Sequence, residues 1–353
     1  MADFQVPDPI LNSPYEEPTL HWWIEEGSPP QKREGRRPAM YFYRDPKIRS
    51  EQQGRQGGEP VELKLVNQIR DLVATWRHQG CPGASRTTHE LLSWWRREGR
   101  EKRLFFAQIE AAETIIFLRE ARSDFLQGVD VPRDEPNDSQ KAEGAAGFLR
   151  YASKLATGSG KTTVMGMLAA WSILNKVNDR ADARFSDVVL VVCPNVNIRQ
   201  RLAELDPNLG DASLYRTRDL VPEHLMKLLR QGKVVITNWH VFEPHVASVG
   251  GQGGRVVKAG QPVETRERIH IGEQNTTARG KRYLTLSTLE MMVAAQQLEI
   301  LAGSEKRDEA GNLISVEVRA TKYVESDSAV IARVLGREVG GKQNILVMND
   351  EGR

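Results

Sequence analysis

Apolar positions along this chain change period several times, and the changes mark its organisation. From Val61 the residues Val61, Leu65, Ile69, Leu72, Val73 and Trp76 recur at helical spacing. Cys81-Pro82-Gly83 reads as a turn, and Thr87-Thr88 stands where it would cap a second helix carrying Leu91, Leu92 and Trp95. A third helix is expected over 108–120, with Ile109, Ala112, Ile116 and Leu118 available to a core. Residues 61–126 therefore read as a small helical accessory region. Upstream, residues 1–60 are rich in Pro, Gly and charge, with aromatic islands at His21-Trp22-Trp23 and Tyr41-Phe42-Tyr43. Short strands or an extended segment are expected there, ending in the polar linker 51–60.

Beyond a polar, Pro/Gly-rich stretch at 127–147, expected to be a loop, apolar runs alternate with helical ones. LRYASKLA at 149–156 is expected to be a strand leading into a Gly-rich turn, followed by the helical TTVMGMLAAWSILNKV. DVVLVVC at 187–193, KVVITN at 233–238 and NILVMND at 344–350 have the pattern of buried strands. Short β-branched runs separated by helices predict an α/β fold with a mostly parallel, doubly wound sheet over 148–353. The stretch from about 243 to 340 is less regular. SVGGQGG at 248–254 reads as a flexible loop, 286–303 as an amphipathic helix, and LISVEVRATKYV at 313–324 as part of a hairpin after the turn DEAGN. Asp327 or Ser328 is placed to cap a short helix over AVIARVL.

Composition narrows the class. The 353 residues suggest two or three domains, and 39% hydrophobic with 27% charged residues excludes a fibrous chain and wholesale disorder. No run of about 18 apolar residues marks a membrane span, and MADFQVPDPILNSPYEEP lacks the basic start and apolar stretch of a secretory signal. Cys81 and Cys193 sit in unrelated contexts and read as two reduced thiols of a cytoplasmic protein with no membrane partner. The net charge of +2 announces no partner. Between Arg70 and Arg103, however, eight basic residues outnumber four acidic ones, with Trp76, Trp94 and Trp95 interleaved. That mixture suits either a surface that holds phosphates and stacks bases or a solvated helix face with its core anchors.

The informative segment is Leu155-Ala156-Thr157-Gly158-Ser159-Gly160-Lys161-Thr162-Thr163. A strand is expected to end here and a helix to begin at Lys161. Gly158 and Gly160 let the backbone curl so that Thr157, Gly158, Ser159, Gly160 and Thr163 surround a phosphate, to which the helix N-terminus adds its positive dipole. Lys161 would bridge β- and γ-phosphates, and the Thr162 hydroxyl would ligate Mg²⁺. Leu155 stands where the full G-x-x-x-x-G-K-[ST] pattern has Gly, so the match is incomplete at its first position. Downstream, Ile345-Leu346-Val347-Met348-Asn349-Asp350-Glu351 ends an apolar run in two carboxylates. Asp350 would hold Mg²⁺ through water, and Glu351 would polarise the attacking water.

In order, ATGSGKTT, VVCPNVNIRQRL, VVITNWHVF and NILVMNDE resemble the first, RecA-like motor domain of superfamily-2 DEAD/DEAH-box helicases, in the branch of type III restriction Res-like subunits. Phe105-Phe106-Ala107-Gln108-Ile109-Glu110 resembles that branch's Q-type motif, and NSPYEEP at 12–18 and GRRPAMYFY at 35–43 resemble its N-terminal portion. The resemblance implies an ATP-dependent DNA translocase or helicase. It implies further that Gln108 selects ATP by reading adenine, and that Pro194, Asn195, Asn197 and Arg199, with Thr237 and Asn238, grip DNA through its phosphates.

The family continues Asp-Glu-Ala-His, whereas here the sequence reads Asp350-Glu351-Gly352-Arg353. On that comparison the chain is expected to be an incomplete N-terminal half. It would lack the second motor domain and the arginine finger, worth about 10³–10⁵ in rate, and a second polypeptide would supply them. Weak to moderate binding of ATP and Mg²⁺ is expected, with very slow or absent hydrolysis. Lys161 and Asp350 lie 189 positions apart, more than a minimal core needs, so 243–340 is expected to be an insertion, in which Arg279-Gly280-Lys281-Arg282 is a candidate phosphate contact. The alternatives are a nucleotide-binding regulatory module that acts with a partner subunit without hydrolysis, and a nucleotide kinase. The kinase is disfavoured by the Gln108 motif, the Asp350-Glu351 pair and the lack of clustered lid arginines.

Overall fold

The computed structural model describes residues 8–25, 28–43, 59–142, 144, 146–194, 196–243, 246–248, 261–278, 280–294, 298–324, 327–339, 342 and 344–350. In chain order, two hairpins come first: β1 (Leu20–Trp23) with β2 (Gln31–Glu34), and β3 (Met40–Tyr43) with β4 (Glu59–Glu62). Helices α1 (Lys64–His78), α2 (Arg86–Arg96) and α3 (Phe106–Glu120) follow. Helix α1 closes in a Schellman arrangement, with Gly80 N–H donating to Arg77 O and Cys81 N–H to Trp76 O. Ser85, not Thr87 or Thr88, caps α2; its hydroxyl accepts the Thr88 N–H at 3.0 Å. Thr87 and Thr88 are instead buried in the first turn.

The polar stretch after α3 contains β5 (Arg133–Asp134), the short α4 (Asp138–Ala142) and β6 (Phe148–Leu149), with β5 and β6 paired antiparallel. The strand expected over 149–156 stops at Leu149. Residues 151–156 form no strand, because Ala152, Ser153 and Lys154 are all exposed and only Tyr151 and Leu155 are half-buried. Next come α5 (Lys161–Asn178), β7 (Val188–Cys193), α6 (Val196–Leu202), two single-turn helices α7 (Leu214–Thr217) and α8 (Met226–Leu229), and β8 (Lys233–Asn238).

Residues 237–343 form a separate unit together with 193–195. It holds β9 (Val246–Ser248), β10 (Gln261–Ile271), β11 (Thr276–Ala278), β12 (Lys281–Leu284), α9 (Leu286–Ala294), β13 (Leu298–Ile300), β14 (Lys306–Arg307), β15 (Leu313–Val324) and α10 (Asp327–Val339). The chain then returns to the first unit for β16 (Leu346–Asn349).

The first unit is α/β. Its sheet has the order β16-β7-β8, and β16 runs parallel to β7 with Leu346 beside Val189 and Asn349 beside Val192. The Lys233 N–H donates to Asp187 O at the start of β7, so β8 begins beside β7 and runs the same way. Val188, Val189, Leu190, Val191 and Cys193 are buried, as a central strand covered on both faces requires. Helix α5 is buried along most of its length and packs against α2, α3, α8 and β16.

The second unit is a mainly antiparallel sheet in the order β11-β12-β10-β15-β13, with β9 and β14 also pairing with β15. Its spine is the long β10·β15 pair, from Gln261 opposite Val324 to His270 opposite Ser315. Ile269, Leu284, Leu289, Leu298, Val316, Val318 and Ala320 form its core, so α9 covers one face. The opposite face of the strand pair carries Arg266, Arg268, Glu317 and Arg319. The helix expected over 286–303 ends at Ala294, and Leu298 and Ile300 enter β13 instead, opposite Ala320 and Val318. Among the described residues no helix is long and apolar enough to cross a membrane. The glycine-rich stretch 249–254 lies outside the described residues.

Candidate phosphate-binding site

The segment before α5 folds as two tight steps. The Ser159 N–H donates to Ala156 O at 3.2 Å, and the Ser159 hydroxyl donates to the same carbonyl at 2.6 Å. This closes a four-residue turn whose third position is Gly158, with φ of 82°. Type II turns require that positive φ, and glycine adopts it without a steric penalty. Gly160 is left-handed as well (φ 80°, ψ 46°) and forms the N-cap of α5. The Thr163 N–H returns to Gly160 O at 2.9 Å. The N–H groups of the first helical turn, Lys161 and Thr162 among them, have no intrahelical acceptor and stand at the positive end of an 18-residue helix.

Thr157 and Gly158 are exposed, Ser159 to Thr162 are half-buried, and Thr163 is buried. Lys161 has no hydrogen-bond or ion-pair partner among the described residues. A cation in the first turn of a helix opposes the helix dipole, so nothing among the described residues rewards its position.

The direction of α5 sets where this end points. Near its far end, the Ser172 hydroxyl donates to Ser186 O at 2.8 Å, just before β7, and Trp171 packs edge-on against Phe185. Ser186 in turn donates to Asn344 O, just before β16, at 2.7 Å. Ile173 meets Gly232, just before β8. The late turns of α5 thus lie over the strand starts, and the helix runs back across the sheet by about 1.5 Å per residue. Its first turn, with Lys161, is directed toward the strands' C-terminal ends. Asp350 sits at that same end: it follows β16, and its N–H donates to Val192 O at 2.9 Å. On that direction of α5, the glycine turn, Lys161 and Thr162 would face the end of the sheet that Asp350 follows, the end where open α/β sheets take their ligands. Glu351 lies outside the described residues.

Gln108 joins the site from α3. It is 6% exposed; its Oε1 accepts the Phe105 N–H at 2.9 Å, and its Nε2 donates to Ser159 O at 2.9 Å. Sequence reasoning placed Gln108 near the nucleotide but missed its hold on the loop, because a contact 51 positions away leaves no local signal.

The positions proposed for DNA are less uniform. Pro194 follows β7, Asn195 and the Asn197 side chain lie outside the described residues, and Arg199 is exposed on α6. Thr237 O and Asn238 Oδ1 both accept from the Cys193 thiol, at 3.3 and 3.1 Å. In the second unit Arg279 lies outside the described residues, Lys281 is exposed, and Arg282 pairs with Glu267 at 2.5 Å.

The mixed cation–aromatic stretch resolves into a structural knot. Trp94 and Trp95 donate to the carbonyls of Asp219 and Leu220, and Trp76 donates to Pro82 O. Arg97 stacks on Trp94 and pairs with Asp219. Arg100 is buried, which lowers its pKa, and it donates to Trp94, Lys102, Arg218 and Asp219 carbonyls. Arg77 and Arg96 both bind the buried Glu113 carboxylate. The tryptophans spend their N–H groups inside the fold, which is the core-anchor alternative.

For a cation at the site, Thr162 and Asp350 supply hard oxygen donors, and no group of three His, Cys, Asp or Glu side chains able to hold a metal occurs among the described residues. One hydroxyl and one carboxylate suit Mg²⁺, which takes its remaining ligands from substrate phosphates and water. No protein family, curated protein or solved structure matches this chain.

Proposed function

We propose that this chain binds ATP with Mg²⁺ through 157–163 and Asp350, as the first, RecA-like motor domain of an ATP-dependent DNA translocase of the Res-like helicase branch. The observation that carries the reading is the turn of two positive-φ glycines opening α5, with Lys161 unpartnered among the described residues; Asp350, at the end of β16, supports it. Backbone N–H groups of the turn and first helical turn surround the β-phosphate, and Lys161 Nζ supplies the counter-charge for the β- and γ-phosphates. Thr162, and Asp350 through water, would hold Mg²⁺, which when bound would supply the charge that offsets that of the phosphates. The DNA part of the reading rests on the order of the motifs and on the exposed Arg199.

Calorimetric titration of the full chain with Mg·ATP tests the first part. Lys161→Ala is expected to weaken binding by at least about tenfold, roughly 1.4 kcal/mol, and an unchanged affinity would overturn the site. Fluorescence anisotropy with a single-stranded oligonucleotide tests the second. Backbone contacts predict affinity that drops steeply between about 50 and 200 mM salt. No binding at the lower salt, or binding indifferent to salt, rejects the translocase reading and leaves a nucleotide-binding module.

A further inference from the structure

The helix that precedes the phosphate loop in sequence also grips it. We propose that Gln108 is a positioning residue that holds this loop in shape, and that it does not read the base of the bound nucleotide. The proposal rests on 157–163 being the nucleotide site. Both ends of the Gln108 amide are spent on backbone: Oε1 on the Phe105 N–H and Nε2 on Ser159 O, each at 2.9 Å. Reading adenine with an amide uses the same two atoms, Oε1 toward the exocyclic amine and Nε2 toward a ring nitrogen. Turning the amide to a base would leave the Phe105 N–H and the Ser159 carbonyl without their partners, at a side chain only 6% exposed.

The close approach is mutual. A Cβ on residue 160 would overlap Gln108 Nε2, so glycine is needed there for its left-handed φ and again for room. Gln108 is itself anchored from the N-terminal segment. The Phe106 N–H donates to Pro14 O at 2.9 Å, Arg36 grips the Glu110 carboxylate with both guanidinium nitrogens, and the Tyr15 ring lies 5.6 Å from Phe105. The loop's shape is thus imposed by α3 and the segment docked on it. A site held this way recognises the phosphates, and the contribution of Gln108 is blind to the base.

Two variants separate the roles. Gln108→Ala removes the contact to Phe105 and the contact to Ser159. Gln108→Glu keeps an oxygen for the Phe105 N–H, with a negative charge suited to a helix N-terminus, but cannot donate to Ser159 O. The full chain and both variants are titrated with Mg·ATP and with Mg·GTP, and amide hydrogen exchange over 157–163 is followed without nucleotide. Both variants are expected to weaken both nucleotides by the same factor, about tenfold, and to speed exchange in the loop. Loss of Mg·ATP affinity with Mg·GTP unaffected overturns the proposal, since that is the mark of an adenine reader. Wild-type affinity and exchange in Gln108→Glu overturns it too, because only the cap of α3 would then matter. If Lys161→Ala leaves Mg·ATP binding unchanged, the nucleotide reading fails by itself, and the exchange rates of Gln108→Glu still decide whether Gln108 holds the loop.

Discussion

The two ends of α5 are built on opposite principles. At its C-terminal half, Glu120 from α3 accepts the Ser85 N–H at 2.8 Å, the Thr88 hydroxyl at 2.6 Å and the Trp171 indole N–H at 2.5 Å. Asn175 donates to Thr88 Oγ1 at 3.0 Å and accepts from the Ser85 hydroxyl. Lys176 Nζ reaches the carbonyls of Arg180 and Asp182, which places a cation where the helix dipole welcomes it. Every polar group named there has a partner. At the N-terminal end two glycines take up left-handed backbone, and the cation stands against the dipole with no partner among the described residues. One end is optimised for folding, and the other leaves its donors to something outside the fold. Local rules broken without internal compensation mark functional positions.

That contrast predicts where mutations hurt. Glu120→Ala strands the buried Thr88 hydroxyl and Trp171 indole N–H and the half-buried Ser85 N–H, and is expected to destabilise the chain by about 3–5 kcal/mol, measured by chemical denaturation. A loss below about 1 kcal/mol would mean that the C-terminal network is decoration and the contrast is false. Gly158→Ala at the other end meets nothing within 4 Å, so only its φ of 82° is strained. About 1–2 kcal/mol is expected there. A cost as large as that of Glu120→Ala would show the loop to be part of the core.

Helices α1, α2, α3 and α5 were legible because their apolar residues repeat at helical spacing; α4, in a stretch expected to be a loop, and the short α6, α7 and α8 were not. The strands β7, β8 and β16 were legible as short β-branched runs. What escaped is what depends on distant partners. Strand β10 reads QPVETRERIHI, with Ile269 the one fully buried apolar side chain among its described ones, and it is a strand because β15 lies opposite. Leu298 and Ile300 fit a helix or a strand equally well, and pairing with Ala320 and Val318 decides. In the candidate site, Gly158, Gly160, Lys161 and Thr162 announce themselves by spacing. The Gln108 clamp does not, nor does the use of Trp94 and Trp95 as anchors on Asp219 and Leu220, some 125 positions away.

A smaller effect lies just beyond the C-terminal end of α5. Hydrogen bonds from Arg184 hold the Asp182 carboxyl below the usual carboxylate range, against the opposing pull of burial. With the folded value depressed, the pair's stabilisation is present above the unfolded value of about 4 and is lost as pH falls through the folded one. Asp182→Asn is expected to cost less than about 1 kcal/mol at neutral pH and to flatten the fall in melting temperature below about pH 4. An acid limb as steep as in the unaltered chain would assign that loss to other carboxylates.

The smallest predicted change in stability sits at the most informative residue. Lys161→Ala removes a first-turn cation that opposes the helix dipole and installs the best helix former. Stability without nucleotide is therefore expected to stay within about 0.5 kcal/mol of the parent, or to rise slightly. Ligand linkage should behave in the opposite way. At 100 times the parent's dissociation constant, a nucleotide stabilises the unaltered chain by about 2.7 kcal/mol, and this increment should fall to about 1.4 kcal/mol or less in Lys161→Ala. Both quantities come from paired melts with and without Mg·ATP. If the variant instead loses stability in the absence of nucleotide, Lys161 serves the fold and the two ends of α5 are alike. If it keeps its stability and only the increment falls, the lysine's position is explained by a bound phosphate, since the described residues give it no partner.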